Sequence, residues 1–192
     1  LNDELISSVS HAMNKAMITG PVVIANLPMS IKAIRLLNTE DVDNLKQNAI
    51  MSADKLRNFR IDFQTLTSFR SDGRSLLFPE PRLIISSLYR SWRIAGGHEV
   101  PGTILRKLAE NVFPARYDMH TGMLDMGNFL LSGFIGFCIY EADKCLDQDE
   151  RVLLMSLLGT VPYAGIGYKT TMGMGQAKCT IIADKNADTK SE

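Results

Sequence analysis

The densest group of residues able to bind an anion is the loop AGIGYKTTMGMGQAK, residues 164–178. Glycines allow a positive φ and let a ligand approach the main chain closely. A series of exposed backbone N–H groups forms an anion-binding concavity, and a lysine beside it adds a point charge. These features predict phosphate binding. The residues assigned to it are Gly165, Gly167, Tyr168, Lys169, Thr170, Thr171, Gly173, Met174 and Gly175.

The loop differs from the common nucleotide-binding motifs. There is no G-x-x-x-x-G-K-[ST] sequence, and the G-x-G pairs lack the strand and helix that flank a dinucleotide site. The following segment, AKCTIIAD, has the composition of a strand. A phosphate loop leading into a strand favours a polymer lying across a sheet over a buried nucleotide. The structural alternative is that the glycines only shape a turn between a helix and a strand.

Charge is distributed unevenly along the 192 residues, although the formal net charge is zero. Residues 55–116 hold eleven Lys or Arg against five acids, whereas residues 117–150 hold one Lys against seven acids. A basic part of this kind is expected of a protein with one surface that faces RNA. Two ordinary solvated faces would give the same totals.

Two further candidates are Arg70 and Arg74, which flank the turn SDG in the basic part. A guanidinium fork is a good phosphate ligand, so both are predicted to bind RNA; the alternative is a pair of solvated turn residues. The histidines, His11, His98 and His120, have no partner fixed by sequence spacing. A surface or structural role is therefore expected for each.

The composition excludes several classes of protein. The most apolar run, FLLSGFIGFCIY, is interrupted by Ser132, Gly133 and Gly136 and is too short to span a membrane. The three cysteines are scattered without metal-ligand spacing, and no secretory signal is present. We expect a cytoplasmic protein without a metal or other cofactor. Because the first residue is Leu, the sequence is expected to begin inside a longer protein.

Hydrophobic periodicity predicts two units. In the first, residues 2–17 form a helix, and PVVIANL and SIKAIRLL form a strand pair broken near Pro28. We assign residues 1–37 to the end of a first ferredoxin-like domain. Residues 38–54 are assigned to a connecting segment that includes a short helix.

The second unit covers residues 55–184. It is predicted to begin with a strand at 59–66, followed by a helix that starts at the prolines of FPEP and ends before Gly96 and by a short helix near ILRKLAENV. Two strands are predicted next, at 113–120 and 129–141. A helix at 147–158, which begins at the capping box DQDE, and a strand at 177–183 complete the unit. The order β-α-β-β-α-β predicts an α+β, ferredoxin-like (RRM-like) domain. Residues 185–192 are predicted to be a disordered tail.

Three ordered blocks of this sequence resemble one family. The run LTSFRSDGRSLLFPEPRLIISSLYRSW is similar to the "PT-x-FR-x-x-GR…PFP-x-P-x-L…SL-x-x-RW" segment of CRISPR-associated repeat-processing endoribonucleases, the Cas-six type of the RAMP superfamily. GFIGFCIYEA and YAGIGYKTTMGMGQAK resemble the "GF-x-G" strand and the glycine-rich loop of that family. Blocks in this order are more specific than any single motif. The resemblance covers nearly the whole chain and about the carboxy-terminal two-thirds of such a protein. One departure is that Thr65 to Ser68 replace a proline–threonine pair.

The resemblance implies a function. Family members bind CRISPR repeat RNA on tandem ferredoxin-like domains and cleave it without a metal: a 2′-OH attacks the scissile phosphate and leaves a 2′,3′-cyclic phosphate and a 5′-OH. The general acid and base of the family come from the first domain, upstream of Leu1, so no catalytic residue is assigned. The implied partners are repeat RNA and other CRISPR effector subunits, and a homodimer is left open.

Two other functions compete with this one. The chain could belong to a catalytically silent RNA-binding subunit of a CRISPR effector complex. It could also be a ferredoxin-like domain that binds a small ligand or a protein, because this fold serves many functions.

Overall fold

The structure is a computed structural model that describes residues 3–24, 27–30, 32, 40–125, 127 and 129–182. Its α-helices are α1 (Asp3–Thr19), α2 (Val42–Ser52), α3 (Pro81–Ile94), α4 (Gly102–Glu110), α5 (Gln148–Gly159) and α6 (Val161–Ala164). Its β-strands are β1 (Val22–Ile24), β2 (Leu27–Met29), β3 (Asn58–Thr67), β4 (Phe69–Ser71), β5 (Arg74–Leu76), β6 (Val112–Asp125), β7 (Leu130–Ala142) and β8 (Ala177–Ile182). Within these residues no helix has both the length and the apolar character needed to cross a bilayer.

The main sheet has four antiparallel strands in the order β6-β7-β3-β8. Along the chain β3 comes first, α3 follows it, β6 and β7 form a hairpin, and α5 leads to β8. This is the β-α-β-β-α-β order with the first and third strands at the centre of the sheet. The predicted α+β, ferredoxin-like (RRM-like) arrangement is confirmed. The assignment of residues 1–37 to the end of another such domain stays a prediction.

The core lies between one face of this sheet and the helices. Phe59, Ile61 and Phe63 alternate along β3 and are each at most 3% exposed, as expected of a half-buried strand. Helix α3 places Leu88 and Trp92 against them, and Trp92 is fully buried with its Nε1 donating to the His98 carbonyl at 3.2 Å. The strand predicted at 59–66 and the helix predicted to start at FPEP and to end before Gly96 are thus confirmed.

Helix α5 begins at the predicted capping box. The Asp147 side chain accepts from the Glu150 amide, and the Glu150 carboxylate accepts from the Asp147 amide, both at 2.9 Å. Two amides of the first turn are satisfied in this way. Helix α2, in the predicted connecting segment, packs along α5 and buries Ala49. The limits of that segment, residues 38–54, stay a prediction.

Arg151 of α5 is a buried cation that forms no ion pair among the described residues. Its guanidinium donates to three backbone carbonyls, those of Leu56 (2.7 Å), Asp143 (2.9 Å) and Leu146 (3.0 Å). These carbonyls belong to the approach to β3 and to the turn that follows β7. One side chain therefore ties α5 to both segments.

The structure corrects two predictions. The amino-terminal strand pair consists of β1 and β2, in which Val23 is opposite Pro28, so Pro28 lies within a strand instead of interrupting the pair. A proline is compatible with an outer strand, because the N–H that it lacks is not needed for a hydrogen bond to a further strand. Most of SIKAIRLL, and the tail at 185–192, lie outside the described residues.

The second correction concerns β6, which runs from Val112 to Asp125 and is longer than the predicted strand at 113–120. Most of its side chains are exposed, so apolar alternation could not define its limits. β6 is an outer strand, and its register with β7 shifts between Pro114 and Arg116.

We expect Arg151→Leu to lower the free energy of unfolding by about 3 kcal/mol, because three buried carbonyls lose a charged donor while the side-chain volume is nearly kept. Urea unfolding followed by circular dichroism measures the change. The matched control is Arg106→Leu on the exposed face of α4, which should change it by less than about 0.5 kcal/mol. Equal stability of the two variants would contradict the structural role of Arg151.

Candidate nucleic-acid interface

The glycine-rich loop closes on itself and on the end of β3. The Ile166 amide donates to the Gly175 carbonyl at 2.8 Å, so the two ends of the loop are joined. The Gly175 amide donates to the Leu66 carbonyl (3.0 Å), and the Tyr168 amide to the Ser68 carbonyl (2.8 Å). A Cβ on Gly175 would overlap the Ile166 carbonyl oxygen, and this residue has φ 68°. Glycine is therefore required there by both the contact and the backbone conformation.

Two hydroxyl side chains complete this attachment. Thr65 Oγ1 donates to the Gly173 carbonyl and accepts from the Gln176 amide, each at 2.9 Å. Ser87 Oγ, in the middle of α3, accepts from the Gly167 amide at 2.8 Å. The departure from the family pattern at Thr65 thus supplies a hydroxyl that holds the loop.

The predicted cradle of glycine amides is largely closed in the structure, and phosphate binding by the loop stays a prediction. Most loop amides already donate to protein acceptors; these are the amides of Gly165, Ile166, Gly167, Tyr168, Met172, Gly173 and Gly175. Among the described residues, three consecutive amides of the loop have no acceptor: those of Lys169, Thr170 and Thr171.

The RNA contact predicted for three of the assigned residues also stays a prediction, although the structure leaves these residues little exposed surface. Gly165, Met174 and Gly175 are buried, and Met174 is only 1% exposed. Their role is to shape the loop. The RNA contacts predicted for the other assigned residues stay predictions, and of these Thr171 and Gly173 are exposed while Gly167 and Thr170 are half-buried.

The outer side of the loop carries a group of cations and aromatic rings. Lys169 has a left-handed backbone (φ 57°), and its Nζ lies 4.1 Å from the centroid of the Phe129 ring and 5.6 Å from that of Tyr168. The Arg70 guanidinium carbon lies 5.3 Å from the Tyr168 centroid, and its Nη1 donates to Tyr168 Oη at 3.4 Å. We call Arg70, Phe129, Tyr168 and Lys169 the cation–aromatic cluster.

Arg74 lies apart from this cluster. It is exposed on β5, opposite Ser71 in the short hairpin of β4 and β5. None of the hydrogen bonds, ion pairs or ring contacts of the described residues joins it to the loop. The structure thus brings Arg70, Tyr168 and Lys169 together and leaves Arg74 at the tip of a neighbouring hairpin.

Sequence reasoning missed Phe129, which directly precedes β7 and is 42% exposed. The only local signal is an aromatic residue in the short connection between two strands. Its contact with Lys169, forty residues further along the chain, depends on tertiary structure.

The face of the sheet opposite the core carries an additional cation. Arg60 on β3 forms hydrogen bonds of 2.6–3.0 Å with Asp62, and its guanidinium carbon lies 3.7 Å from the Phe137 centroid. The hydrogen bond to Asp62 raises the pKa of Arg60. This guanidinium is therefore already paired, unlike the Lys169 ammonium, which has no carboxylate partner among the described residues.

The three histidines are separate from one another. His11 and His120 are exposed, and the His98 ring lies edge-on to Trp92 with centroids 5.6 Å apart. In the part of the chain that the structure describes, no histidine side chain forms a hydrogen bond or an ion pair, and no group of three His, Cys, Asp or Glu could hold a metal ion.

Comparison with known proteins identifies the family. The family model for CRISPR-associated endoribonuclease Cas6 matches residues 61–177, and the chain belongs to this family. A Cas6 of Mycobacterium tuberculosis (strain H37Rv) is 26% identical over 130 residues, which are 67% of this chain and 41% of that protein. A Cas6 of Streptococcus thermophilus is 25% identical over 166 residues, 78% of this chain and 68% of the relative. The chain thus spans about two fifths of the length of the M. tuberculosis relative.

A solved structure shares the fold. A Cas6 product complex has a TM-score of 0.69 and 24% identity, over 80% of this chain and 63% of that chain.

We expect Gly175→Ala to lower the free energy of unfolding by about 3 kcal/mol, because the added Cβ meets the Ile166 carbonyl oxygen and φ is positive. Gly173→Ala is the matched control: its φ is 85°, but its Cβ has open space, so the loss should be about 1 kcal/mol. Thermal unfolding of both variants measures the difference. A larger loss for Gly173→Ala would contradict the close approach at Gly175.

Proposed function

We propose that this chain positions CRISPR repeat RNA in an endoribonuclease that processes the precursor transcript. Membership of the Cas6 family supports this proposal, as does the name endoribonuclease that its relatives carry. The observation that carries it is the cation–aromatic cluster on the outer side of the loop. RNA supplies the matching groups, since it presents a phosphate and an aromatic base at every nucleotide.

Each member of the cluster has a role in this proposal. Lys169 pairs with one phosphate as a point charge, and Arg70 contacts the backbone through its planar guanidinium. The free amides of residues 169–171 add neutral donors beside Lys169. Because the loop is bonded to β3 and α3, these donors are held in place before RNA arrives, which reduces the entropy lost on binding.

The proposed reaction is metal-independent cleavage. The 2′-OH attacks the adjacent phosphorus and loses its proton to a general base, while a general acid protonates the departing 5′ oxygen. The products are a 2′,3′-cyclic phosphate and a 5′-OH. None of the described histidine side chains is paired with an ionisable group, so we assign neither proton transfer to them. Arg70, Lys169 and the loop bind and orient the RNA.

The silent RNA-binding subunit remains the second candidate, because these residues offer no acid–base pair. Repeat RNA is the proposed partner in both cases. Association with other CRISPR effector subunits, a homodimer and a cytoplasmic location remain predictions.

We expect the purified protein that carries this chain to cleave its own repeat RNA once, in EDTA, and to leave a 2′,3′-cyclic phosphate. Denaturing electrophoresis with and without cyclic-phosphate hydrolysis identifies the end group. The control is RNA with a single 2′-deoxynucleotide at the cleavage position, which lacks the nucleophile and should stay intact. Binding without cleavage would favour the silent subunit, and cleavage that requires a divalent metal would contradict the mechanism.

We expect Lys169→Ala to weaken repeat-RNA binding and to reduce the slope of log K against log salt by about 0.7, the share of one phosphate on a single strand. Titrations at four salt concentrations measure the slope. Lys144→Ala is the control, an exposed lysine in the turn after β7, and it should leave the slope unchanged. An unchanged slope for Lys169→Ala would remove Lys169 from the RNA interface.

A further inference from the structure

Phe129 places an aromatic ring at the edge of the proposed RNA interface. Its side chain is 42% exposed, and the Lys169 ammonium lies 4.1 Å from its ring centroid. The next residue, Leu130, begins β7 opposite Asp125. The ring is therefore attached to the first residue of a paired strand, beside the lysine.

A single exposed apolar residue needs no explanation on its own. This ring differs because it accompanies a cation that has no carboxylate partner among the described residues. A phosphate paired with Lys169 would bring its own nucleotide within reach of the ring. Proteins that bind single-stranded RNA hold bases on exposed aromatic faces next to cationic grooves.

We propose that Phe129 is a stacking subsite for a nucleobase, and that the base belongs to a nucleotide whose phosphate contacts Lys169. This inference rests on the proposed function. The described neighbour of Phe129 is Lys169, which this proposal assigns to the phosphate, so no other described contact of Phe129 would read the edge of the base. The subsite therefore adds affinity for single-stranded RNA with little selection among the four bases.

The Phe129 ring and the Lys169 ammonium make contributions to RNA binding that can be measured separately. Stacking is a neutral contact that releases no counterion, so its loss lowers affinity without changing the salt slope. If Phe129 served only to hold Lys169 in position, its removal would reduce the slope as Lys169→Ala does.

The first experiment is a salt titration of repeat-RNA binding by Phe129→Leu, Phe129→Trp and Lys169→Ala. We expect Phe129→Leu to weaken binding by about five-fold or more at every salt concentration with an unchanged slope, because base stacking on an aromatic ring contributes about 1–3 kcal/mol. Phe129→Trp retains a ring and should bind as tightly as the original protein.

The second experiment uses Phe129→Trp as a fluorescent reporter. Trp92 is the one tryptophan of these 192 residues and is fully buried, and the emission of the original protein measured in parallel gives the background. Stacking of a base should quench the emission of the new tryptophan. The matched control is Phe113→Trp, a 49% exposed position at the other end of β6, which should not be quenched.

Each possible result either supports or contradicts the proposed stacking subsite. The subsite would be overturned by a reduced salt slope for Phe129→Leu. It would also be overturned if RNA did not quench the emission of Phe129→Trp, or quenched Phe129→Trp and Phe113→Trp equally. If Lys169→Ala weakens binding and Phe129→Leu does not, this inference alone fails. If the original protein does not bind repeat RNA, the proposed function fails as well.

Discussion

The hydrogen bond between the Ile166 amide and the Gly175 carbonyl is the contact on which the candidate interface depends. It brings two segments of main chain so close that a methyl group on Gly175 has no space. The closed loop then fits against β3, and its residues 171–173 are exposed. Without this contact, Tyr168 and Lys169 would lie on a free segment and would lose their positions relative to Arg70 and Phe129.

In the structure, the glycines serve to hold the loop in place. Their amides are used to attach the loop to Leu66, Ser87 and its own backbone, and the positive charge is supplied by side chains outside that framework. This separation between backbone amides that hold the loop and side chains that carry the charge is physically reasonable, because a rigid loop keeps the lysine and the arginine at a fixed spacing. An open cradle of amides would bind phosphate directly but would leave the loop with few internal bonds.

Local sequence signals predicted the elements well. The alternation of Phe59, Ile61 and Phe63 gave β3, and the capping box at Asp147 gave the start of α5. These signals act over a few residues, so they can be read without tertiary structure. The direction of the loop amides could not be predicted, because their acceptors, such as Ser68 and Ser87, are far away in the sequence. Phe129 was missed for the same reason, since its partner Lys169 belongs to another loop.

The interrupted register of β6 near Pro114 has a consequence for solubility. The outer strand of a sheet offers unpaired main-chain groups to any passing strand, and long strands of this kind promote aggregation. Proline removes one of those donors, and the bulge bends the strand at the same place. Strand addition at this end of β6 is thereby discouraged.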